Sequence, residues 1–483
     1  MKTFLDLIEE VQKPGLCHHC GGCVTFCTSI NYGALELDPD TGMPRFGEKE
    51  KCIECGLCYA ICPEINELEE ETHKKVSWEP PIGKVIEVTN LNDAGPGSLR
   101  EACFAEGPRI VVFRVAGIID LQDDIKISQP FLTIAGQSAP GDGICLRNAT
   151  LRICTHDVVL RFIRARVGDG EQGAIPDNRD ALKIEGTQVH HVIVDHCSTS
   201  WSIDENVSTW GTPHDVTVQW CIIAEALSKN RHPKGVHSMG LLAGAQTTRF
   251  TFHHNLLAHN GWRNPLLHGR GEQPSEYDFT NNVVYDFGKF CSVIRGRTHV
   301  RYVGNYIRRG PSSEAEQEVH IDLDIKNDAR PLVFLADNIG PSNPDGSADN
   351  WRMVLDMAKL DEATLRTTTP FAFPDIAAER AQTAFEAVLN SAGATRPRRD
   401  AVDTRIVADV RNGTGKVIDS PKDVGGWPEY KPEAPAEDAD HDGMPDEWEK
   451  AHGLNPADAA DGAKDNDGDG YTNVEEFLND TAP

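Results

Sequence analysis

Residues 249–270 read RFTFHHNLLAHNGWRNPLLHGR. Phe250 and Phe252, then Asn255, Leu256 and Leu257, have the pattern of a short strand and a tight turn that fill an interior. Trp262, Arg263, Asn264 and Pro265 then leave that interior on a turn that carries an arginine outward. Related runs lie on both sides: IVVF, GIIDL, LTIAG, VVLRFIRARVG, ALKIEG, HVIVDHC, VTVQWC, YDFTNN, VRYVGN and LVFLADN. Lining up the turn positions Cys197, Cys221, Asn255, Asn282, Asn305 and Asn338 gives steps of 24, 34, 27, 23 and 33 residues. A β-sandwich also uses many short strands, but coil-length steps with insertions on one side are those of a solenoid, whose coils bury their faces only by stacking. Asparagines at equivalent turns predict an inward amide ladder, each side chain satisfying backbone groups of the next coil. The expected fold is therefore mainly β, a right-handed parallel β-helix.

The 483 residues, 39 % of them hydrophobic, suffice for about three domains. The net charge is −28, and residues 433–483 hold 16 acids against two lysines, so about half of the excess lies in the last tenth. That balance argues against nucleic acid as a partner and, locally, for cation binding. No run of 18 apolar residues occurs, so no membrane span is expected. The start, MKTFLDLIEE, places Asp6, Glu9 and Glu10 where a secretory signal would be apolar, and the chain as encoded is expected in the cytoplasm.

Eight of the fourteen cysteines lie between Cys17 and Cys62. Cys17-x2-Cys20-x2-Cys23-x3-Cys27 and Cys52-x2-Cys55-x2-Cys58-x3-Cys62-Pro63 are two copies of the bacterial ferredoxin run. Three thiolates two residues apart wrap one cube, and the fourth reaches the other. Cys17, Cys20, Cys23 and Cys62 would hold one 4Fe-4S cluster, and Cys52, Cys55, Cys58 and Cys27 the second. Paired zinc sites would not explain the doubled spacing. Thr28 stands where the second run has Pro63. The stretch through EPPIGKV resembles the N-terminal segment of the beta subunits of deazaflavin-dependent hydrogenases and dehydrogenases over about 84 residues. After Lys84 the chain changes character, and no flavin domain follows. The remaining cysteines, Cys103, Cys145, Cys154, Cys197, Cys221 and Cys291, fall mostly within β patterns and are expected to pack as small apolar residues.

VTNLNDAGPGSLREAC, LTIAGQSAPGDGICL, VIVDHCSTSWSIDENVS, TFHHNLLAHNGWRNP and RRDAVDTRIVADVRNGTGKVIDSPKDVGGWP, in that order between about Val85 and Tyr430, resemble bacterial pectate lyases of polysaccharide lyase family 1. The resemblance implies calcium-dependent cleavage of α-1,4-galacturonan (pectate) by β-elimination. Arg263, in W-R-N-P, falls on the family's base. That assignment is carried by the resemblance, since guanidinium is ordinarily protonated. The family's first calcium-binding acid pair falls on Asn178 and Asp180, and the next on Asp204 and Ser208, with Glu205 close enough to compensate. The substrate-binding lysine falls near Met239, leaving Lys229 or Lys234 in SKNRHPK to serve. The second family arginine falls on His268, with Arg270 two residues on.

After a helical stretch near 377–392 and a Pro/Glu linker around 430–437, two acidic motifs appear. Asp438, Asp440, Asp442, Asp446 and Glu449, and then Asp465, Asp467, Asp469, Asn473 and Glu476, occupy positions 1, 3, 5, 9 and 12 of a loop with glycine at 6. They resemble dockerin-like and thrombospondin type 3-like calcium modules. The expected organisation is a small α+β ferredoxin-like domain (1–84), a β-helix (85–430) and a short helical, EF-hand-like calcium tail (431–483). Two 4Fe-4S clusters and Ca2+ are the expected cofactors, and an acidic polysaccharide and a redox partner the expected partners of a monomer. The β-helix and tail resemble parts of secreted proteins, in conflict with the cytoplasmic address. A chimeric chain with its seam near Pro81–Val85 is one resolution of that conflict. A competing function is electron transfer, with the β-helix a non-catalytic carbohydrate-binding or scaffolding unit.

Overall fold

The computed structural model describes residues 34–39, 43–47, 49–51 and 83–480, except 174, 245, 315–317, 324–328, 356–360, 374–375 and 469. The chain divides into two compact units, Met1–Pro80 and Pro81–Pro483. In the first, the strands Leu35–Leu37 and Pro44–Phe46 pair antiparallel, with Leu35 opposite Phe46.

The second unit is the expected parallel solenoid. Its three sheets have ten, eight and eight strands, each strand pairing in parallel with those one coil before and after. One coil shows the plan: His190–Asp195 lies in the first sheet, Ser198–Ser200 in the second and Glu205–Gly211 in the third, after which His214–Gln219 returns to the first. Alternation sets the faces. Leu182, Ile184, Val207, Leu241 and Leu267 point into the core, which leaves Lys183 and Ser208 on the outer face of the third sheet.

From Phe162 onward, every passage from the first sheet to the second turns on one left-handed residue. Phe162, His196, Trp220, His254, Asn281 and Asp337 have φ between 50° and 56° at this corner, and Gly304 fills the same place. A non-glycine residue pays about 1–2 kcal/mol for that conformation. Stacking offsets part of the cost: Phe162 lies on His196 at 4.9 Å, and Trp220 on His254 at 4.3 Å.

The residue after each corner points inward, and here the asparagine ladder forms. Asn255 Nδ2 donates to Asn282 Oδ1 at 2.9 Å, Asn282 to Asn305 at 3.2 Å, Asn305 to Asn338 at 2.9 Å and Asn338 to Asn350 at 2.9 Å. The same oxygens accept backbone N–H groups, as Asn255 Oδ1 does from Cys221 at 2.9 Å. Cys197 and Cys221 continue the column as buried thiols, and all six middle cysteines are free.

The outer face of the second sheet is covered. Phe385, Val388 and Leu389 of the helix Ala381–Ser391, with Val402, Ile406 and Val410 of the helix Ala401–Asn412, pack on Ile222, Leu256, Val283 and Tyr285. Beneath them, buried Arg166 bridges Asp400 and Asp403. The Pro/Glu stretch does not hang free. Tyr430 is buried with its hydroxyl donating to Asp400 at 2.9 Å, and the Lys431 amide donates to Asp142 at 2.7 Å. Among the described residues no helix is long and apolar enough to cross a membrane.

Replacing Asn282 by alanine would strand the Asn255 amide and the Phe252 carbonyl, both bonded to its side chain. Each buried polar group left unpaired costs about 1–3 kcal/mol. The expected result is a loss of about 2–5 kcal/mol in chemical unfolding of the solenoid, against under about 1 kcal/mol for the exposed Lys422→Ala.

Candidate active site

The candidate site lies at the third sheet, where Asp180 stands just before the strand Leu182–Gly186. Its side chain is 0 % exposed. Oδ1 accepts the Glu205 amide at 3.1 Å, Oδ2 accepts the Ser208 hydroxyl at 2.5 Å, and Lys183 Nζ lies 3.4 Å from Oδ2. Burial pushes the Asp180 carboxyl up to about 6, with the Lys183 ammonium opposing and the Asp204 carboxylate adding to the rise. Ser208, at a position where the family pattern has an acid, is thus a hydrogen-bond donor to the neighbouring acid. Asn178 plays the opposite part, its Oδ1 accepting from the Lys183 ammonium.

Asp180, Asp204 and Glu205 converge, with one oxygen of each within 4.8 Å of the others. Calcium–oxygen distances of about 2.3–2.6 Å make such a separation reachable around one ion. The donor set, three hard carboxylate oxygens with one acid deeply buried, fits that cation.

Arg263 meets this cluster directly, its guanidinium paired with Glu205. The expected outward excursion is smaller than the sequence suggests. Trp262 and Arg263 extend the third-sheet ladder, their carbonyls accepting the Gly240 and Leu241 amides at 3.0 and 2.8 Å. Asn264 is fully buried, exchanging hydrogen bonds with Asn260 at 3.0 and 3.1 Å. The turn therefore holds Arg263, at φ 59°, against the acids, with its side chain 26 % exposed. Burial lowers the guanidinium below its usual value, Asp204 and Asp180 oppose that, and nearby Arg270 adds to it.

The loop between the second and third sheets also behaves differently from its lysine-rich reading. Lys234 is exposed, while His232 and His237 turn inward and stack at 3.7 Å. His237 Nε2 lies 2.7 Å from Asp204 Oδ1. Although burial raises Asp204, that hydrogen bond and the two imidazoles hold its carboxyl below the usual range. Lys183 was legible as an outward position of ALKIEG; nothing in the sequence pattern marks the two histidines.

His268 and Arg270 lie one coil on. They line a cavity of about 560 Å³ together with Glu272, Arg295 and Arg297, and Arg270 rests on the Trp210 ring at 4.8 Å. Such a basic hollow suits carboxylate groups.

In the tail, Asp438, Asp440 and Asp442 each present an oxygen within 4.8 Å of the others, and Glu449 is buried nearby. Asp446 accepts the Ala439 amide at 2.8 Å. In the second motif Asp465 accepts the Gly468 and Gly470 amides at 2.7 and 3.0 Å, and the Asn473 amide donates to the Asp461 carbonyl at 2.7 Å. Asp467 is exposed and Glu476 half-buried on the last helix, Asn473–Asp480. Asp469 and all eight cluster cysteines, Cys17, Cys20, Cys23, Cys27, Cys52, Cys55, Cys58 and Cys62, lie outside the described residues.

Comparison with known proteins bears on both units. Proteins described as probable pectate lyase C from Aspergillus fumigatus and Aspergillus flavus are each 34 % identical to the chain over 409 residues, covering 83 % of it and 90 % of themselves. A solved pectate lyase from Bacillus sp. N165, in complex with trigalacturonate, is 16 % identical, with a TM-score of 0.46 over 64 % of this chain and 94 % of its own. A model of the 4Fe-4S dicluster domain matches residues 9–63.

Two outcomes are expected. Anaerobically purified protein carries about eight irons and is brown, and Cys20→Ala loses half of that iron; zinc without a visible charge-transfer band would refute the assignment. The buried Asp180 binds its proton more tightly folded than unfolded, so in chelator its contribution to stability falls as pH rises from about 4 to 6 and stays low above. Asp180→Asn should accordingly gain in melting temperature on the wild type across that window in chelator, and lose the gain when millimolar calcium is added.

Proposed function

This chain belongs to the pectate lyase family, and we propose that it cleaves pectate, or a related polyuronide, by β-elimination in the groove of the third sheet. The observation that carries this reading is a half-buried arginine held against three convergent carboxylates. The reaction removes a weakly acidic proton from C5 of a uronate. The C–H electrons form the C4–C5 double bond, and the bond from C4 to the bridging oxygen breaks, its electrons leaving with that oxygen, which takes a proton from solvent.

Arg263 is the group we assign to that proton. Desolvation makes its cationic form less favourable than in water, and Glu205 fixes the direction of the guanidinium, so little reorganisation is needed when the proton moves. Asp180, Asp204 and Glu205 would hold calcium, which neutralises a substrate carboxylate and acidifies the C5 proton. Ser208 and Lys183 keep Asp180 aligned, and His237 keeps Asp204 aligned. His268 and Arg270, with Arg295 and Arg297 on the same hollow, would bind carboxylates further along the chain; exposed Lys234 would meet the polymer from the rim.

The dicluster module equips the lyase with two 4Fe-4S clusters. Their electrons would pass to a separate redox partner, and exposed clusters of this kind call for a reducing compartment. The first tail motif is read as a calcium loop, and the chain as a monomer.

The test is release of unsaturated uronide from polygalacturonate, followed in the ultraviolet with and without calcium. Arg263→Lys keeps the charge but moves it. It should lower kcat by at least about a hundredfold while KM changes by less than about tenfold, as for a group used in the transition state. Asp204→Asn should weaken turnover in a way that added calcium partly restores. Full turnover by Arg263→Ala would move the base elsewhere. Binding of polygalacturonate by the wild type without product at any calcium level would favour a non-catalytic carbohydrate-binding solenoid.

A further inference from the structure

The tail holds more unsatisfied carboxylate than one loop motif accounts for. Asp461, which belongs to neither acidic motif, brings an oxygen within 4.8 Å of Asp442 and Glu449. Asp442 and Asp461 are 5 % exposed and Glu449 is 0 % exposed. Asp442 Oδ2, Asp461 Oδ1 and both Glu449 oxygens are buried without a hydrogen-bond partner, as are Asp438 Oδ1 and both Asp440 oxygens. Bare carboxylates buried on this scale are costly unless they take up protons or meet cations, and so many converging on one place favour cations.

Asp442 is common to two triplets of oxygens, one with Asp438 and Asp440 and the other with Glu449 and Asp461. The backbone is built for this sharing. Gly462 lies against Asp442, where a Cβ would stand 2.5 Å from Asp442 Oδ2 and push that carboxylate aside, so glycine there favours the approach of the Asp461 segment. The Asn473 amide fixes the Asp461 carbonyl from the last helix.

Taking the calcium reading of the first motif as its basis, we infer that Asp438, Asp440, Asp442, Glu449 and Asp461 bind two divalent, oxygen-seeking cations bridged by Asp442, and that the ions clamp the tail to the first coils of the solenoid. Charge supports two ions. With Glu87 and Arg114, which reach the cluster from the solenoid, these carboxylates carry a formal charge of −5. One divalent cation leaves −3 and two leave −1.

The clamp follows from what the ion loop carries. Met444, Val474, Phe477 and Leu478 pack on Ile110, Val112 and Ala135 of the first sheet, with Val85 partly buried against them. Arg114 donates to the Ala436 carbonyl at 2.7 Å and lies 3.6 Å from Asp438. Drawing Asp461 and Glu449 onto the ions therefore fixes both tail helices on one apolar patch.

Calcium titration of the full chain by calorimetry, alongside thermal melting in calcium and in chelator, tests this. The groove site is common to all the tail variants and cancels in comparison. Asp461→Asn should bind one calcium fewer than the wild type and Asp442→Asn two fewer, each with a smaller calcium-induced rise in melting temperature. In chelator Asp461→Asn should melt no lower than the wild type, because it removes a repelling charge. Equal destabilisation with and without calcium would mean that Asp461 only accepts the Asn455 amide, and would overturn the inference. Unchanged stoichiometry in Asp461→Asn with one ion lost in Asp440→Asn would also overturn it, leaving a single-ion loop. Unchanged stoichiometry in Asp440→Asn and Asp442→Asn would remove the calcium reading of the tail altogether.

Discussion

The corner between the first and second sheets is where this solenoid is decided. From Phe162 onward a left-handed residue at each passage costs conformational energy, and the residue after it must enter the core with polar backbone on both sides. One side chain solves the second problem repeatedly: an asparagine whose oxygen accepts the amide of the preceding coil and whose nitrogen donates to a carbonyl of that coil. The ladder from Asn255 to Asn350 is therefore a chain of mutual dependence, and it fixes how one coil sits on the next. Residues on separate coils then meet at the strand spacing of about 4.8 Å. Asp180 and Ser208 touch because Lys183 and Ser208 are register partners, and Arg263 reaches Glu205 because its own carbonyl continues the ladder.

That geometry explains how a groove short of acids keeps its electrostatic logic. Asn178 and Ser208 stand where the family resemblance has carboxylates. Their removal lowers the number of negative charges, yet the remaining three are closely managed. Asp180 is buried and bonded, Glu205 is paired with Arg263, and Asp204 is held by His237. Each acid has a counterpart that orients it, so a bound cation would meet a prepared set of oxygens.

Much of this was legible in the chain. Turn asparagines recur at coil length because the corner imposes a periodic demand, so the solenoid and its ladder could be read from spacing. Cysteine spacing announced the clusters for a similar reason, since four thiolates must close on one cube. The motif drew attention to Arg263 but not to the inward turn that half-buries it, because the Asn260–Asn264 exchange that holds the turn is made within four residues and leaves no periodic trace. His232 and His237 were hidden in a loop whose lysines dominated its appearance. Asp461 escaped for the opposite reason: it lies between two regular motifs, and only folding brings it to Asp442.

The packing of the tail on the first coils also sets an order of events during synthesis. Ile110 and Val112 leave the ribosome more than three hundred residues before Phe477 and Leu478, the side chains that cover them. At about 5–20 residues per second, that patch waits roughly 20–70 s for its cover. A nascent chain long enough to have formed several coils therefore carries a bare apolar strip, and the strip persists in any chain that stops short of the last helix. Covering that strip therefore depends on the last helix and not on the coils that form the groove.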